Sequence, residues 1–409
     1  MWKIKKALLY AGLILVILQK APIILEYNYE LFRTVIYLVF GILLILSLLK
    51  LKSLNVSSFI RKCFLLLFCQ LIVFLFLQLL EFRLNWFDLV EVAIPLSIMI
   101  IGLSLNFSEK EIVRISVTFI FLTLLISAWQ IYYYQGDFLI HQYYTIPIKN
   151  SIGPFLVISL GIIFYLFLFM PKRENEKKIK RLAMFLLTFI IGFYFALIIR
   201  SRSALLALLL FVIFLFIKKR DYRVLAGLVS LIIILALSSN INIINSAINP
   251  IVKAFTLNYD IYDIESISAG RYSVYKEATE VVREYPLFGI SKNHMLFYGI
   301  PHNYLLNKLV SYGIIGSLFF LIIYLFFAYY VLKNTVLSRP NLRNIGAFIF
   351  IIPLVISLFE YTYPFGPGTA NIFAFLLLSQ NEKLSYVRNK AYYRSKSNKN
   401  ENNACIPMV

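Results

Sequence analysis

Two arginines stand in a short turn between apolar runs, as Arg200 and Arg202 of the sequence IIRSRSALLALLLF. No acidic residue lies close to them in the sequence. A planar guanidinium group with five donors suits a bidentate phosphate partner. Ionisable groups within a membrane are by default candidates for a functional site. The pair therefore predicts an anion site, and the alternative is that both side chains anchor the protein at the lipid interface.

A second candidate group lies later in the chain. Arg271 begins RYSVYKEATEVVREYPLFGI, and His302 and Asn303 lie at the start of PHNYLLNKLVSYGIIGSLFF. An imidazole near neutral pH can take a proton from a hydroxyl, so His302 is a candidate general base. Two alternatives stay open, namely a capping or hydrogen-bonded role for His302 and a salt bridge from Arg271 to Asp263 or Glu265.

The sequence shows no sign of a bound metal or nucleotide. It has no Cys or His cluster with zinc spacing, no phosphate-binding loop and no glycine-rich dinucleotide fingerprint. Asp260 and Asp263 are three residues apart, as two cation ligands sometimes are, but this spacing alone specifies little. We therefore expect no metal and no cofactor.

The elements that position these residues are membrane helices. Apolar residues make up 60% of the chain and charged residues 15%, against about 45–50% and 25% in soluble domains. The formal net charge of +20 could indicate nucleic acid. Lysine and arginine are concentrated in every second link between apolar runs, however, which is the asymmetry that orients membrane proteins. We therefore expect the lipid bilayer as a partner and no nucleic acid.

Apolar runs of helical length predict an all-α integral membrane protein with about twelve transmembrane helices. The first run has the basic flank of a signal peptide without a small-x-small cleavage site, so we expect it to remain as the first helix. The predicted spans are 7–25, 31–49, 63–80, 88–105, 112–132, 153–170, 182–199, 203–217, 224–239, 304–332, 345–359 and 368–380.

The basic links predict that the N- and C-termini are cytoplasmic and that Arg200 and Arg202 lie outside. The eighth span, with about 15 residues from Ser203, would reach only ~22 Å, so we expect this turn to be sunk below the outer surface. We predict a single transmembrane domain over 1–380 and a basic, disordered cytoplasmic tail over 381–409.

The only long outward segment is 240–303, between spans nine and ten. Within it, Val274, Ala278, Val281 and Tyr285 recur at helical spacing, and Pro286 stops the run. These residues predict an amphipathic helix that lies on the mouth of the bundle.

In three motifs, the chain resembles the polysaccharide polymerases and O-antigen ligases of bacterial envelopes. The motifs are S-R-S-A at 201–204, G-R at 270–271 with P-L-F-G-I after the next helix, and H-N-Y-L at 302–305 followed by Y-G-I-I-G. They occur in the order that the family shows, and the hydropathy pattern is similar over nearly the whole chain.

The resemblance implies a metal-independent membrane glycosyltransferase of the bacterial inner membrane that takes an undecaprenyl-pyrophosphate-linked oligosaccharide as donor. It further implies chain-length regulator and flippase proteins as partners. The residues that it implies are Arg202 and Arg271 for the pyrophosphate, His302 for the acceptor hydroxyl, and Ser201, Ser203 and Asn303 in support. Arg200 lies outside the matched motif S-R-S-A, so the resemblance implies no role for it.

Three functions follow from these observations. The first is a polymerase that transfers a lipid-linked glycan onto a lipid-linked repeat unit at the outer leaflet, favoured because the segment 240–303 is short for a ligase. The second is an O-antigen ligase that transfers the glycan to a lipid A core or another acceptor. The third is a flippase or transporter of lipid-linked oligosaccharide, which requires polar residues along a path through the bundle.

Overall fold

The computed structural model describes residues 2–49, 58–82, 84–105, 107–134, 149–169, 178–199, 201–219, 271–290, 301–366 and 371–380. Within these ranges there are helices and no strands, so the all-α class is confirmed. The helices are α1 (Trp2–Leu18), α2 (Pro22–Tyr27), α3 (Tyr29–Leu48), α4 (Ser58–Leu79), α5 (Phe87–Ser104), α6 (Glu109–Tyr133), α7 (Lys149–Phe169), α8 (Lys178–Ile199), α9 (Arg202–Lys219), α10 (Arg271–Glu284), α11 (Tyr304–Leu337), α12 (Ile345–Ile349), α13 (Ile351–Ile356) and α14 (Asn371–Gln380).

Six helices of the described chain are long and apolar enough to cross a membrane. They are α3, α4, α5, α6, α7 and α11, and α8, α12 with α13, and α14 contain shorter apolar stretches. A multi-pass helical membrane protein is thus shown, and the number of twelve crossings stays a prediction. The predicted span 224–239, the first part of the outward segment (240–270) and the tail 381–409 lie outside the described residues.

The first predicted span, 7–25, was wrong in its boundaries. The structure ends α1 at Leu18 and starts the short helix α2 at Pro22. Ala21 is extended, with φ −65° and ψ 138°, as steric contact with a following proline favours. Proline is suited to the first position of a helix because it has no N–H to satisfy there.

Helix α7 lies at the centre of the bundle. Of its apolar window, 83% is buried inside the protein, against 22% in α3 and in α4. Its side chains, among them Phe155, Leu160 and Tyr165, pack in one large core that also takes in α5, α6, α9, α11 and α14. α3 and α4 expose apolar side chains such as Leu38 and Leu75, as helices facing lipid would.

Contacts between helix ends show which ends share a face of the bundle. Ser47 and Ser104 hydroxyls are 2.8 Å apart, which brings together the last residues of α3 and α5. We call this end the Ser104 face. At the opposite end the Tyr304 amide donates to the Ser357 carbonyl (3.0 Å), and we call this end the Tyr304 face.

Helices α1 and α6 run parallel, because they meet at both ends. Lys6 is paired with Glu111 near their first turns, and the Gln130 side chain donates to the Lys20 carbonyl near their last turns. This agrees with the predicted first and fifth crossings, which run in the same direction. That the Tyr304 face is extracytoplasmic remains a prediction from the basic links.

The predicted amphipathic helix is present as α10, which ends two residues before Pro286. Ala278 and Val281 are buried against Val310 of α11, as the spacing predicts. Tyr285 is 50% exposed, so its predicted place on the packed face was wrong.

Helix α11 is broken at Gly313, whose φ of 64° and ψ of −170° are not helical. The break takes the next amide groups away from their helical partners. The Ile314 amide donates to the Pro286 carbonyl at 2.8 Å, and the Ile315 amide donates to the Leu287 carbonyl at 2.9 Å. Buried backbone groups need such partners, so the segment after α10 completes the broken helix.

The segment after α10 is also held at its C-terminal end, where the Ile290 amide donates to the Val310 carbonyl at 2.9 Å. Two glycines permit this close approach. A Cβ on Gly289 would lie 2.5 Å from the Gly313 amide nitrogen and 2.6 Å from that of Tyr312, and Gly289 also has a φ of 63°. The motifs P-L-F-G-I and Y-G-I-I-G thus form one backbone joint that fixes α10 on α11.

We expect Gly289→Ala to loosen the cap helix α10 from the bundle. The left-handed backbone alone costs a non-glycine residue ~1–3 kcal/mol, and the clashing atoms belong to backbone that cannot rotate away. Limited proteolysis and thermal unfolding in detergent should show a labile α10 and a lower unfolding temperature. Gly41→Ala in α3 is the control, because a Cβ there meets nothing within 4 Å. Equal behaviour of the two variants would refute the joint.

Candidate active site

His302 lies on the Tyr304 face, two residues before α11 begins. Its main-chain carbonyl accepts a hydrogen bond from the Tyr275 hydroxyl of α10 at 3.0 Å. Its ring is 36% exposed and lies beside the Tyr361 ring, with centroids 6.3 Å apart. The histidine is therefore accessible, and the cap helix touches it directly.

Glu360 is the centre of the site. This carboxylate, with only 7% of its side chain exposed, lies 3.6 Å from Nδ1 of His302 through Oε2. Its other oxygen, Oε1, lies 3.4 Å from Nη2 of Arg271. One buried carboxylate thus joins the predicted base to one of the predicted anion-binding arginines.

Arg271 is the first residue of α10 and is 30% exposed at its side chain. Besides Glu360, its Nη1 donates to the Phe359 carbonyl at 3.2 Å. Arg271 thus forms a salt bridge with Glu360. The alternative of a bridge to Asp263 or Glu265 stays untested, because both residues lie outside the described residues.

Tyr275, one turn further along α10, borders the same cluster. Burial raises the pKa of its phenol, while the Arg271 charge opposes and the Glu360 charge adds to the increase. The hydroxyl therefore stays protonated at neutral pH and can keep donating to the His302 carbonyl.

Arg202 is the first residue of α9, and its side chain is exposed on the Tyr304 face. The positive charges of Arg202 and Arg271 are close enough to repel one another. Like charges held together favour an anion between them. Of the predicted arginines, Arg202 and Arg271 thus lie on the same face, where their charges interact, and Arg200 lies outside the described residues.

The turn with Arg200 and Arg202 was predicted to be sunken because the predicted eighth span is short. The length of α9 does not support this reason. The helix starts at Arg202, one residue earlier than predicted, and continues to Lys219. Its 18 residues reach ~27 Å at ~1.5 Å each, which nearly matches a ~30 Å hydrocarbon core. The two lysines at its end extend the helix where the hydropathy pattern placed a link.

The three residues predicted to support the site, Ser201, Ser203 and Asn303, lie at the starts of α9 and α11. Asn303 caps α11, because its Oδ1 accepts from the Leu306 amide at 3.0 Å. Ser201 is buried against α7, where a Cβ on Gly153 would lie 2.3 Å from the Ser201 Cβ. Ser203 is half-buried in the first turn of α9. Asn303 thus holds the start of α11 in place, whereas Ser201 and Ser203 only lie at the start of α9. That the three residues support the site stays a prediction.

Sequence reasoning missed Glu360. The residue follows the predicted span 345–359 directly, in the sequence ISLFEYTYPFGPG, where no lysine or arginine is near. A lone carboxylate at the end of an apolar run was a usable signal, since ionisable groups in membranes are seldom without function.

A second charged group also escaped the sequence reasoning. Lys308 is 2% exposed, and its Nζ lies 2.9 Å from Asp88 and 3.7 Å from Glu91. The Tyr312 hydroxyl donates to Asp88 at 2.6 Å. These residues occupy the first turns of α5 and α11 on the Tyr304 face, so they do not form a polar path across the bundle.

The described residues contain no group of three or more His, Cys, Asp and Glu side chains arranged to hold a metal ion. The chemistry that the cluster can perform with its own atoms is proton transfer at His302 and anion binding at the two arginines.

Residues 186–321 match the family described as O-antigen ligase. The match covers α9, α10, the predicted base and the first half of α11, so the resemblance seen in the three motifs is confirmed over this region. It supports a membrane protein with a role in polysaccharide assembly. No curated protein matches the chain.

We expect Lys308→Met to destabilise the protein by about 3–5 kcal/mol, because it leaves the carboxylate of Asp88 buried without its cation. Thermal unfolding of the purified protein in detergent measures the loss. Lys333→Met is the matched control, since Lys333 lies on the same helix and is exposed. Similar unfolding temperatures for the two variants would contradict a buried ion pair at Lys308.

Proposed function

We propose that this chain is a metal-independent membrane glycosyltransferase that moves a glycan from a lipid pyrophosphate to a sugar hydroxyl. The observation that carries the proposal is the contact of one buried carboxylate, Glu360, with both His302 and Arg271. A base and an anion site next to each other are what the reaction requires.

In the proposed step, the acceptor hydroxyl attacks the anomeric carbon of the donor. The new C–O bond forms as the bond from that carbon to the pyrophosphate oxygen breaks, and the pyrophosphate leaves with the electron pair. The hydroxyl proton passes to Nε2 of His302. A single displacement of this kind inverts the anomeric carbon.

Glu360 supports both halves of this step. Oε2 of Glu360 lies 3.6 Å from Nδ1 of His302, just beyond hydrogen-bond distance. In the reacting complex a small approach of this carboxylate would keep hydrogen on Nδ1 and leave the lone pair of Nε2 for the acceptor. The same carboxylate orients Arg271, whose guanidinium group has five donors and retains others for a ligand.

Arg202 and Arg271 would bind the pyrophosphate and stabilise the charge that develops as it leaves. Fixed charges directed at such a developing charge are usually the largest single catalytic contribution. Because the leaving group is already activated, no acid is needed to protonate it. This is why a pair of carboxylates, as in glycoside hydrolysis, is not required.

We further propose that the reaction takes place on the extracytoplasmic face of the bacterial inner membrane, with both termini in the cytoplasm. The donor would be an undecaprenyl-pyrophosphate-linked oligosaccharide, and flippase and chain-length regulator proteins would be partners. The support comes from the basic links and from the family resemblance.

The acceptor distinguishes two forms of the proposal. A polymerase adds the glycan to a lipid-linked repeat unit, which the short outward segment 240–303 favours. A ligase adds it to a lipid A core or another acceptor, which the description of the matched family favours. Both use the same cluster. Transport of lipid-linked sugars is disfavoured because Asp88, Glu91 and Lys308 gather at one face.

We expect Arg202→Ala and His302→Ala each to abolish transfer, while the protein still accumulates in the membrane. Losing a positioned base costs about 10²–10⁴-fold in rate, and losing one charge-stabilising donor about 10²–10³-fold. Glu360→Gln should reduce the rate by less, because the base itself remains. The measurement is glycan transfer by the purified protein in nanodiscs, with lipid-linked substrate from the producing strain.

Arg283→Ala and Glu280→Gln are matched controls, since both residues are exposed on α10 away from the cluster. They should leave the rate unchanged. Full activity in both Arg202→Ala and His302→Ala would remove the mechanism.

Deletion of the gene separates the two acceptors. Loss of a polymerase should leave single repeat units on the envelope acceptor, whereas loss of a ligase should leave long glycan on the lipid carrier. A gel of envelope glycans beside an extract of the carrier lipids distinguishes them. Unchanged glycans in both fractions would contradict both forms.

A further inference from the structure

A cavity of about 180 Å³ lies between α3, α5, the end of α1 and the chain before and at the start of α14. Its lining residues come from the outer turns of these helices on the Tyr304 face. The catalytic cluster proposed above does not include any of them. α9, with Arg202, packs on α7 and α13, so the cavity lies on a different flank of the bundle.

The cavity lining combines buried polar and charged side chains with apolar ones, which neither a lipid chain nor close packing explains. Gln19 is 4% exposed and Asn371 is 1% exposed, and both face this space together with Glu91 and Arg33. Oδ1 of Asn371 is buried and has no hydrogen-bond partner. A buried carbonyl oxygen is costly without a donor, so the site suits an occupant that carries hydroxyl groups.

The charges in the lining are already paired. Arg33 forms a salt bridge with Glu30 and lies over the Tyr29 ring, 5.9 Å from its centroid. Glu91 lies 3.7 Å from the Lys308 ammonium. The cavity therefore has no excess of one sign to attract an ion, and its chemistry selects a neutral polar ligand.

Aromatic side chains complete the lining. Tyr29, Tyr37, Phe87 and Phe365 all face the space. Aromatic faces with a few convergent polar groups can bind a ring that has an apolar face and a polar rim. A sugar ring has this form, and the volume, below the ~300–1,000 Å³ of drug-sized ligand sites, fits one ring and not a chain.

The cavity adjoins the catalytic cluster through one layer of side chains. The Phe365 ring, which lines it, lies 5.6 Å from the Tyr304 ring, and Tyr304 follows His302 by two residues. Glu91 lines it from α5 and contacts Lys308, one turn further along α11. Since Tyr304 and Phe365 are buried, this layer separates the cavity from the cluster, and a glycan that reaches both has to pass over the outer edge of the layer.

We propose that this cavity is a saccharide subsite that holds one non-reacting sugar ring of the acceptor glycan. The inference rests on the proposed function and deepens it. The acceptor is assigned to this flank because the donor pyrophosphate belongs to Arg202 and Arg271, on the α9 and α10 flank. The ring would stack on the aromatic side chains and donate a hydroxyl to Oδ1 of Asn371.

The test fills the cavity with Ile94→Phe, because Ile94 of α5 is a lining residue. We expect the KM for the acceptor to rise about tenfold, with kcat, donor KM and unfolding temperature unchanged. Ile42→Phe is the matched control, since this residue of α3 is 41% exposed and lies outside the lining. An unchanged acceptor KM in Ile94→Phe means a water-filled space, and an increase in donor KM alone means a donor subsite; either result overturns the proposal.

A binding measurement separates this inference from the proposed function. The probe is the repeat-unit oligosaccharide released from its carrier by mild acid, titrated by calorimetry into His302→Ala protein. Binding that weakens about tenfold on adding Ile94→Phe supports the subsite even if no transfer is ever detected. Binding that is absent, or that Ile94→Phe does not change, refutes the subsite even where His302→Ala abolishes transfer.

Discussion

A broken helix inside a membrane protein must return hydrogen-bond partners to the amides that the break releases, because lipid supplies none. At Gly313 the partners are the carbonyls of Pro286 and Leu287. These hydrogen bonds fix the segment after α10, and they thereby fix the position of α10 against the first half of α11. Arg271 and Tyr275 reach Glu360 and His302 only because that joint sets where their helix lies.

The charges of the candidate site are likewise stabilised by pairing with one another. Glu360 faces two groups that are or can become positive, and these two come from elements far apart in sequence, α10 and the start of α11. A buried carboxylate is costly when alone and is accepted when paired. The same rule explains why Lys308, Asp88 and Glu91 occur together one turn below.

Much of this arrangement could be predicted from the sequence. Hydropathy predicted the long helices, and amphipathic spacing predicted α10. Residue type made Arg202, Arg271 and His302 candidates, and their roles in the site stay a prediction. Glu360 was not predicted, because its partners lie 89 and 58 residues away and such pairing depends on the tertiary fold. The break at Gly313 was also missed, since a glycine in an apolar run does not show which segment will accept hydrogen bonds from the amides that the break leaves unpaired.

Boundaries were the other weakness, for a physical reason. Hydropathy measures where apolar residues stop, whereas a helix stops where its backbone loses partners. α9 therefore continues through Lys218 and Lys219, whose long side chains can extend toward the interface, and α1 ends before its apolar run does.

The buried lysine has a consequence for how the protein is made. A ribosome releases the chain from its N-terminus, so α5 enters the bilayer long before α11 is synthesised. When Lys308 follows, its partner carboxylates Asp88 and Glu91 are already present in the first turns of α5. The order of translation thus delivers the cation to anions that are in place, and a circular permutant that placed α11 before α5 would have to insert an unpaired ammonium group.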